Sequence, residues 1–421
     1  MMKIKFIIEE IKDQYLADDR IWIIGFSGGK DSSSLLQLVW TALLELPIEQ
    51  RKKEVHVICN DTLVENPKIV EWIDASLINI EKQAKKDNLP IVVAKTTPVL
   101  EDTFWVNLIG KGYPSPNSTF RWCTERLKIK PTSKYIQKQT ETNGEVIILL
   151  GTREAESNNR KKSMERYKID NQRLKRHVDL NLAYVYTPLG NLTTNEIWQY
   201  LMQVPSQWNG TNRDLITLYK NGTGGDCPLV IDTTTPSCGQ SRFGCWVCTV
   251  VKKDRSMEAM IDNGEEWMQP MLELRDWLVD NRDLDEFRMD RRRNGVPGKG
   301  PFTIDARSYV LESLLKIQKD TENHLISNQE LKAIQVIWNM DGFNKNVYDV
   351  YNKVYQTNLN YTMNEKDKIK LELSESLKEL SDKNNADFNK LQVLLNVVAD
   401  KNILSKRVGI QSTIKNLFEF Q

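Results

Sequence analysis

The chain has 421 residues, enough for two domains or one large domain with an appendage. Its 58 Lys and Arg nearly balance 57 Asp and Glu, so no global field draws it to nucleic acid or a membrane surface, and any polyanion must be met by local patches. No apolar stretch reaches ~18 residues, and Met1-Met2-Lys3-Ile4-Lys5 is not a signal-peptide start, which predicts a cytoplasmic protein with no membrane partner. Six cysteines in so long a chain do not make a disulfide framework.

Residues 3–19 are predicted to form an amphipathic helix leading into a buried strand, Ile21-Trp22-Ile23-Ile24-Gly25-Phe26. Ser27-Gly28-Gly29-Lys30-Asp31-Ser32-Ser33 follows, and then Leu35, Leu36, Leu38, Val39, Leu43 and Leu44 at helical spacing. A Gly-rich turn between a buried strand and a helix start is an anion site: the backbone approaches closely and the first helical N–H groups point at the ligand. The helix dipole adds only ~0.3–1 kcal/mol, so Lys30 and the hydroxyls of Ser27, Ser32 and Ser33 must supply much of the grip. The loop of GTPases and most ATPases would need Gly in place of Ile24 and a hydroxyl residue in place of Asp31. Asp31 at the mouth of such a site suits Mg²⁺ held through water.

S-G-G-K-D-S resembles the pyrophosphate loop of the ATP-pyrophosphatase superfamily, which cleaves ATP between its α- and β-phosphates. The resemblance implies a doubly wound, mostly parallel α/β sheet of the adenine nucleotide alpha hydrolase-like kind, with ATP bound on Ser27–Ser33.

Val55-His56-Val57-Ile58-Cys59 is a second buried strand, followed by Asn60-Asp61-Thr62-Leu63-Val64-Glu65 and a helix from about Pro67. In the phosphoadenylyl-sulfate reductase branch of the superfamily a similar D-T-x-x-E segment frames the nucleotide. A helix cap by Asp61 or Thr62 is the plainer reading. Pro90–Ala94 and Glu145–Leu150 read as third and fourth strands, and strands alternating with helices argue for a mostly parallel sheet.

Between them lies Arg121-Trp122-Cys123-Thr124-Glu125-Arg126-Leu127-Lys128-Ile129-Lys130-Pro131. The reductase branch carries a similar cysteine with basic residues, and its cluster-bearing members have a Cys pair where this chain has Trp122-Cys123. Beside Arg121 and Arg126, Cys123 is expected to have a depressed pKa, suited to a metal ligand or a nucleophile. A structural thiol is the plainer reading. The fourth strand runs into Gly151-Thr152-Arg153-Glu154-Ala155-Glu156-Ser157, with Arg160 beyond. This again resembles the branch, and implies that Gly151, Arg153, Glu156 and Arg160 face the anionic substrate, with Lys30, Asp31, Arg153 and Cys123 taking part in the chemistry. Residues 160–177 are rich in Lys and Arg and read equally as a solvated face or a polyanion contact. Thr193 and Glu196 open a helix as a capping box.

Four of the six cysteines, Cys227, Cys238, Cys245 and Cys248, fall within 22 residues. Cys245-x-x-Cys248 lets one turn present two thiolates, and two more would complete a zinc site or a [4Fe–4S] cluster. The lack of a second C-x-x-C, with Cys123 as a distant ligand, favours iron–sulfur. Cys227 and Cys238 compete for the fourth place, with Cys227 preferred.

Together these pieces resemble the DndC-like proteins of DNA phosphorothioation over roughly residues 1–310. That implies ATP, Mg²⁺ and a [4Fe–4S] cluster as cofactors, and DNA, a cysteine desulfurase and further complex subunits as partners. A tRNA thiolation enzyme and a non-catalytic nucleotide-gated DNA sensor are the alternatives. A sulfonucleotide reductase would need a cysteine towards the C-terminus, and none follows Cys248.

Met257 to about Asn281 reads as one helix. Arg288–Pro301 is an Arg-rich Gly/Pro loop, either a phosphate contact or an ordinary surface loop. The expected division is 1–220 for the nucleotide domain, 221–304 for the cysteine region and 305–421 for a polar helical region that docks partners.

Overall fold

The computed structural model describes residues 2–154, 173–221, 244–293, 296–360, 365–388 and 391. Three buried, mostly apolar strands set its centre. Strands β1 (Trp22–Gly25), β2 (Val55–Asn60) and β4 (Val146–Leu149) are buried at every residue, as parallel strands covered on both faces must be. β3 (Ile91–Thr96) is more open, and β5 (Lys175–Arg176) and β6 (Ala183–Tyr186) complete a six-stranded sheet in the order β3-β2-β1-β4-β6-β5. All neighbours are parallel except β5 and β6. Trp22 stands opposite Val55 on one side and Ile147 on the other, so β1 is the central strand where the order turns. Ligands of open α/β sheets bind beyond the carboxyl ends of such strands.

Helix α1 (Met2–Leu16) precedes the sheet, α2 (Lys30–Glu45) follows β1, α3 (Pro67–Lys86) follows β2 and α4 (Lys130–Asn143) leads to β4. α2 is buried almost all round, including Trp40 and Leu43, which makes it an internal helix despite its polar first turn. α3 starts where Pro67 predicts, but its cap is Asn66, whose side chain accepts from the Lys68 N–H; neither Asp61 nor Thr62 caps it. The capping box of α5 (Thr194–Gln203) is present as expected, with both Thr193 and Glu196 engaged.

The chain divides into two units, residues 1–97 with 121–266, and residues 98–120 with 267–421. The expected boundaries at 220 and 304 differ from these. The predicted single helix from Met257 to Asn281 is two, α7 (Arg255–Asp262) and α8 (Gln269–Asn281). Gly264 at φ +105° and Pro270 break it, close to the point where one unit ends and the other begins.

The second unit is helical, with α8, α9 (Ile304–Thr321), α10 (Asn328–Met340), α11 (Val347–Tyr355) and α12 (Glu365–Lys383). Turns follow α10 at Asp341 and Gly342 and α12 at Asn384 and Asn385. A segment from between β3 and β4 joins this unit through a π-helical turn at Val106–Gly110. Trp105 Nε1 donates to the Leu325 carbonyl at 2.8 Å, and Trp338 Nε1 to that of Ile109 at 2.9 Å.

Candidate functional site

β1 ends at Gly25, and the Phe26 N–H still reaches the Ile58 carbonyl at 2.8 Å. The chain then turns at Gly28, whose φ of +72° and close approach to Ile73 (2.9 Å from an added Cβ) both demand glycine. Trp72 Nε1 of α3 donates to the Gly28 carbonyl at 3.1 Å, which pins the turn from outside. Ser32 Oγ accepts from the Ser27 N–H at 3.2 Å and donates to the Gly29 carbonyl at 3.1 Å. The Ser32 hydroxyl therefore closes the loop on itself. Gly29 is the N-cap of α2 and offers no side chain, leaving the first-turn amides to outside groups. The Lys30 amide donates to the Tyr219 hydroxyl at 3.1 Å, and the Lys30 ammonium lies 5.4 Å from that ring's centroid.

Asp31 and Arg153 are not where the sequence reading put them. Asp31 is 3% exposed, with Lys30 Nζ on Oδ2 at 2.8 Å and Arg153 Nε on Oδ1 at 2.6 Å. It sits inside a Lys–Asp–Arg arrangement, not open at the mouth of the loop. Arg153, 1% exposed, also donates to the Leu192 carbonyl at 3.3 Å and Thr194 Oγ1 at 3.2 Å. Its Nε and Nη1 donors are held by these protein groups. Gly151 is where the loops after β1 and β4 touch: a Cβ there would lie 2.9 Å from the Asp31 carbonyl.

The loop after β2 meets the cysteine turn. Asp61 is held by Lys95 at 3.1 Å and accepts from the Leu63 N–H at 2.9 Å, with Leu63 in the left-handed region at φ +62°. Glu65 forms an antiparallel bridge with Cys245, and the Trp246 N–H donates to the Val64 carbonyl at 3.0 Å. Thr62, 0% exposed, places its hydroxyl 3.3 Å from Cys245 Sγ. The D-T-x-x-E segment thus carries the Cys245-x-x-Cys248 turn, whose own closing bond runs from the Cys248 N–H to the Cys245 carbonyl at 3.0 Å.

Cys123 precedes a π-helical turn, Thr124–Ile129. Burial first, and then repulsion from Cys245 and Cys248, push its thiol up to about 12. This reverses the expected depression: the cation that opposes the rise is Lys128, not Arg121 or Arg126. Burial also pushes Cys245 up to about 12, with Lys128 again opposing. Cys123, Cys245 and Cys248 therefore share one neighbourhood, in which ionised sulfurs need a cation beside them. Among the described residues, no group of three or more His, Cys, Asp or Glu side chains is already arranged to hold a metal ion. Cys227, Cys238, Glu156 and Arg160 lie outside the described residues.

Sequence reasoning missed Tyr219, Trp72 and Thr194 as neighbours of the loop. Tyr219 lies 189 residues from Lys30 and no local pattern links them. Lys128 was legible in the R-W-C-T-E-R-L-K stretch, though not as the cation nearest the thiols. The described end of the 160–177 run is structural. Lys175 and Arg176 form β5, Arg173 pairs with Asp13 at 3.3 Å, and His177 Nδ1 accepts from the amides of Asp179 and Leu180. In the second unit, Arg288 donates to the carbonyls of Gly300 and Arg282, and Arg293 to that of Lys111, so these two arginines brace their own loop.

A family model for the phosphoadenosine phosphosulfate reductase domain matches residues 21–251. An uncharacterized protein of Methanocaldococcus jannaschii is 25% identical over 242 residues, covering 58% of this chain and 39% of that relative. The chain therefore spans well under two thirds of that relative's length. Among solved structures, the phosphoadenylyl-sulfate reductase of Candida auris in its phosphate complex is 14% identical, with a TM-score of 0.29 over 48% of this chain and 87% of that one. The U34-tRNA thiolase NcsA of Methanococcus maripaludis with its [4Fe–4S] cluster is 11% identical, with a TM-score of 0.30 over 66% of this chain and 79% of that one. No helix among the described residues is long and apolar enough to cross a membrane.

Proposed function

The chain belongs to the phosphoadenosine phosphosulfate reductase domain family, and we propose that it is an ATP-consuming sulfurtransferase that places sulfur on the DNA backbone. One juxtaposition carries this reading. The phosphate loop after β1 and the cysteine turn docked on the loop after β2 stand beyond the carboxyl ends of two adjacent parallel strands. A nucleotide bound on the first is within reach of sulfur chemistry at the second. The finer assignment to DNA phosphorothioation is supported by S-G-G-K-D-S-S, R-W-C-T-E-R-L-K-I-K-P, G-T-R-E-A-E-S and the Cys245-Trp246-Val247-Cys248 turn, which together resemble the DndC-like proteins.

In this reading the loop amides and Lys30 bind the β- and γ-phosphates of ATP, with Mg²⁺ sharing their charge. A DNA phosphate oxygen attacks the α-phosphorus and pyrophosphate leaves. Hydrosulfide, released from the persulfide of a cysteine desulfurase by two-electron reduction with a thiol, attacks the adenylated DNA phosphorus; the P–S bond forms as the P–O bond to AMP breaks, and AMP leaves with the former DNA oxygen. The protein contributes position and charge neutralisation, which carry most of the rate in phosphoryl transfer. Cys123, Cys245, Cys248 and Cys227 would hold a [4Fe–4S] cluster, which when bound would supply an iron site with affinity for sulfur. Three of these thiols share one neighbourhood, and the pKa values of Cys123 and Cys245, raised first by burial, fit a donor set that ionises only around a cation.

The test is mass spectrometry of nucleosides and dinucleotides from digested DNA and tRNA. Host cells lacking the gene would be complemented with the wild type or with Lys30→Ala. Phosphorothioate-linked dinucleotides should return only with the wild type. A thiolated tRNA base that tracks the gene while DNA is unchanged would replace DNA by tRNA as substrate. No change in either would favour the sensor.

A further inference from the structure

We propose that Tyr219 sets the affinity of the phosphate loop: its hydroxyl occupies the Lys30 amide in the free chain and gives that amide up to a phosphate oxygen. This rests on the reading of Ser27–Ser33 as a phosphate site. The Lys30 N–H is the first amide of α2, the kind of donor an anion at a helix start takes. Here it is directed at the Tyr219 hydroxyl, 3.1 Å away. The same ring lies against the Lys30 ammonium at 5.4 Å, so one aromatic residue meets both the amide and the ammonium of Lys30.

Tyr219 is not a passing surface group. It is 7% exposed, and Trp198 packs edge-on against it with centroids 4.9 Å apart and planes at 82°. It arrives on a separate helix, α6 (Arg213–Asn221), so helix packing sets its distance from the loop, independently of the loop's own geometry. An amide hydrogen committed to a phenol oxygen is not available to a phosphate. The neutral bond must be exchanged for a charge-assisted one, and the exchange subtracts the neutral bond from the affinity.

Tyr219→Phe keeps the ring and its packing on Trp198 and removes only the competing oxygen. The full-length Tyr219→Phe chain should bind inorganic pyrophosphate about three- to tenfold more tightly than wild type in calorimetric titration, the fold-change of one net neutral hydrogen bond. Tyr219→Leu, which removes the ring as well, should tighten binding at least as much. As a second readout, saturating pyrophosphate should raise the Tm of Tyr219→Phe by more than that of the wild type.

Equal affinity in wild type and Tyr219→Phe would overturn the proposal. Weaker binding in Tyr219→Phe would overturn it too, and would make the hydroxyl a donor to the phosphate. Lys30→Ala separates this failure from that of the underlying reading. If Lys30→Ala binds pyrophosphate like wild type, the loop is not the phosphate site and both readings fall. If Lys30→Ala abolishes binding while Tyr219→Phe matches wild type, only the role of Tyr219 falls.

Discussion

Asp31 shows how far a motif residue's setting can depart from its expected role. The carboxylate at the mouth of a phosphate loop is an attractive place for a divalent cation, yet here Lys30 and Arg153 take one oxygen each in a buried setting. Its charge therefore works first on the protein. Asp31→Asn would remove the buried carboxylate that meets both Arg153 and Lys30 and should destabilise the sheet unit by roughly 3–5 kcal/mol in urea unfolding. If Asp31 served only a bound metal, the metal-free chain would be nearly unaffected. Gly151 belongs to the same contact: its φ is unremarkable, and it is glycine because the Asp31 backbone lies where a Cβ would go. Thr62 carries the other half of the site. The cap of α3 is Asn66, and the Thr62 hydroxyl lies between Cys245 Sγ at 3.3 Å and Glu65 Oε1 at 3.5 Å.

At the level of the element, helix starts were the most legible features, because a cap is a local bargain between a side chain and amides two or three residues on. Thr193 and Glu196 form the box their spacing predicts, and Lys3 of α1 adds an ion pair to Glu196 at 2.7 Å. The Lys3 pairing first, then the bonds from Thr193, hold the Glu196 carboxyl down at about 2 from an ordinary 4.5. A carboxyl whose pKa falls on folding contributes stability above its unfolded value and loses it as pH drops from about 4.5 to about 2. Glu196→Gln should therefore lower stability at pH 7 and flatten the curve between about pH 4.5 and 2, where the wild type loses the same contribution. Acid titration followed by circular dichroism reads this directly. The helix predicted from Met257 to Asn281 failed for the converse reason. Its apolar spacing continues through a glycine in the left-handed region and a proline, and the backbone obeys those two residues.

For the whole molecule, the division into two units was the least legible feature. The 98–120 segment lies between two strands in sequence but is tied to helices more than 200 residues later, through Trp105 and Leu325 and through Trp338 and Ile109. Arg307 is a centre of that helical unit: 1% exposed, it donates to the carbonyls of Phe302 and Gly110 at 2.8 and 2.9 Å, and burial brings its pKa down to about 10. Arg307→Met should strip both carbonyls of their donor and lower that unit's stability by about 2–3 kcal/mol in urea. Pyrophosphate binding by the sheet unit should persist, and its loss in the same variant would show that the phosphate loop depends on the helical unit.

The sequence by itself determined the buried strands, the parallel α/β class, the glycine turn of the Ser27–Ser33 loop and the Cys245-x-x-Cys248 turn. Each is written in neighbouring residues, where burial pattern, φ requirement and ligand spacing act over a few positions. Tertiary structure alone decided what those pieces face: Arg153 turned inward onto Asp31, Thr62 given to Cys245, Tyr219 laid on Lys30, and Cys123 brought among thiols that raise its pKa. Such pairings join residues 122 to 189 positions apart beyond the reach of any local pattern, except where two loops leave adjacent strands at the same edge of the sheet.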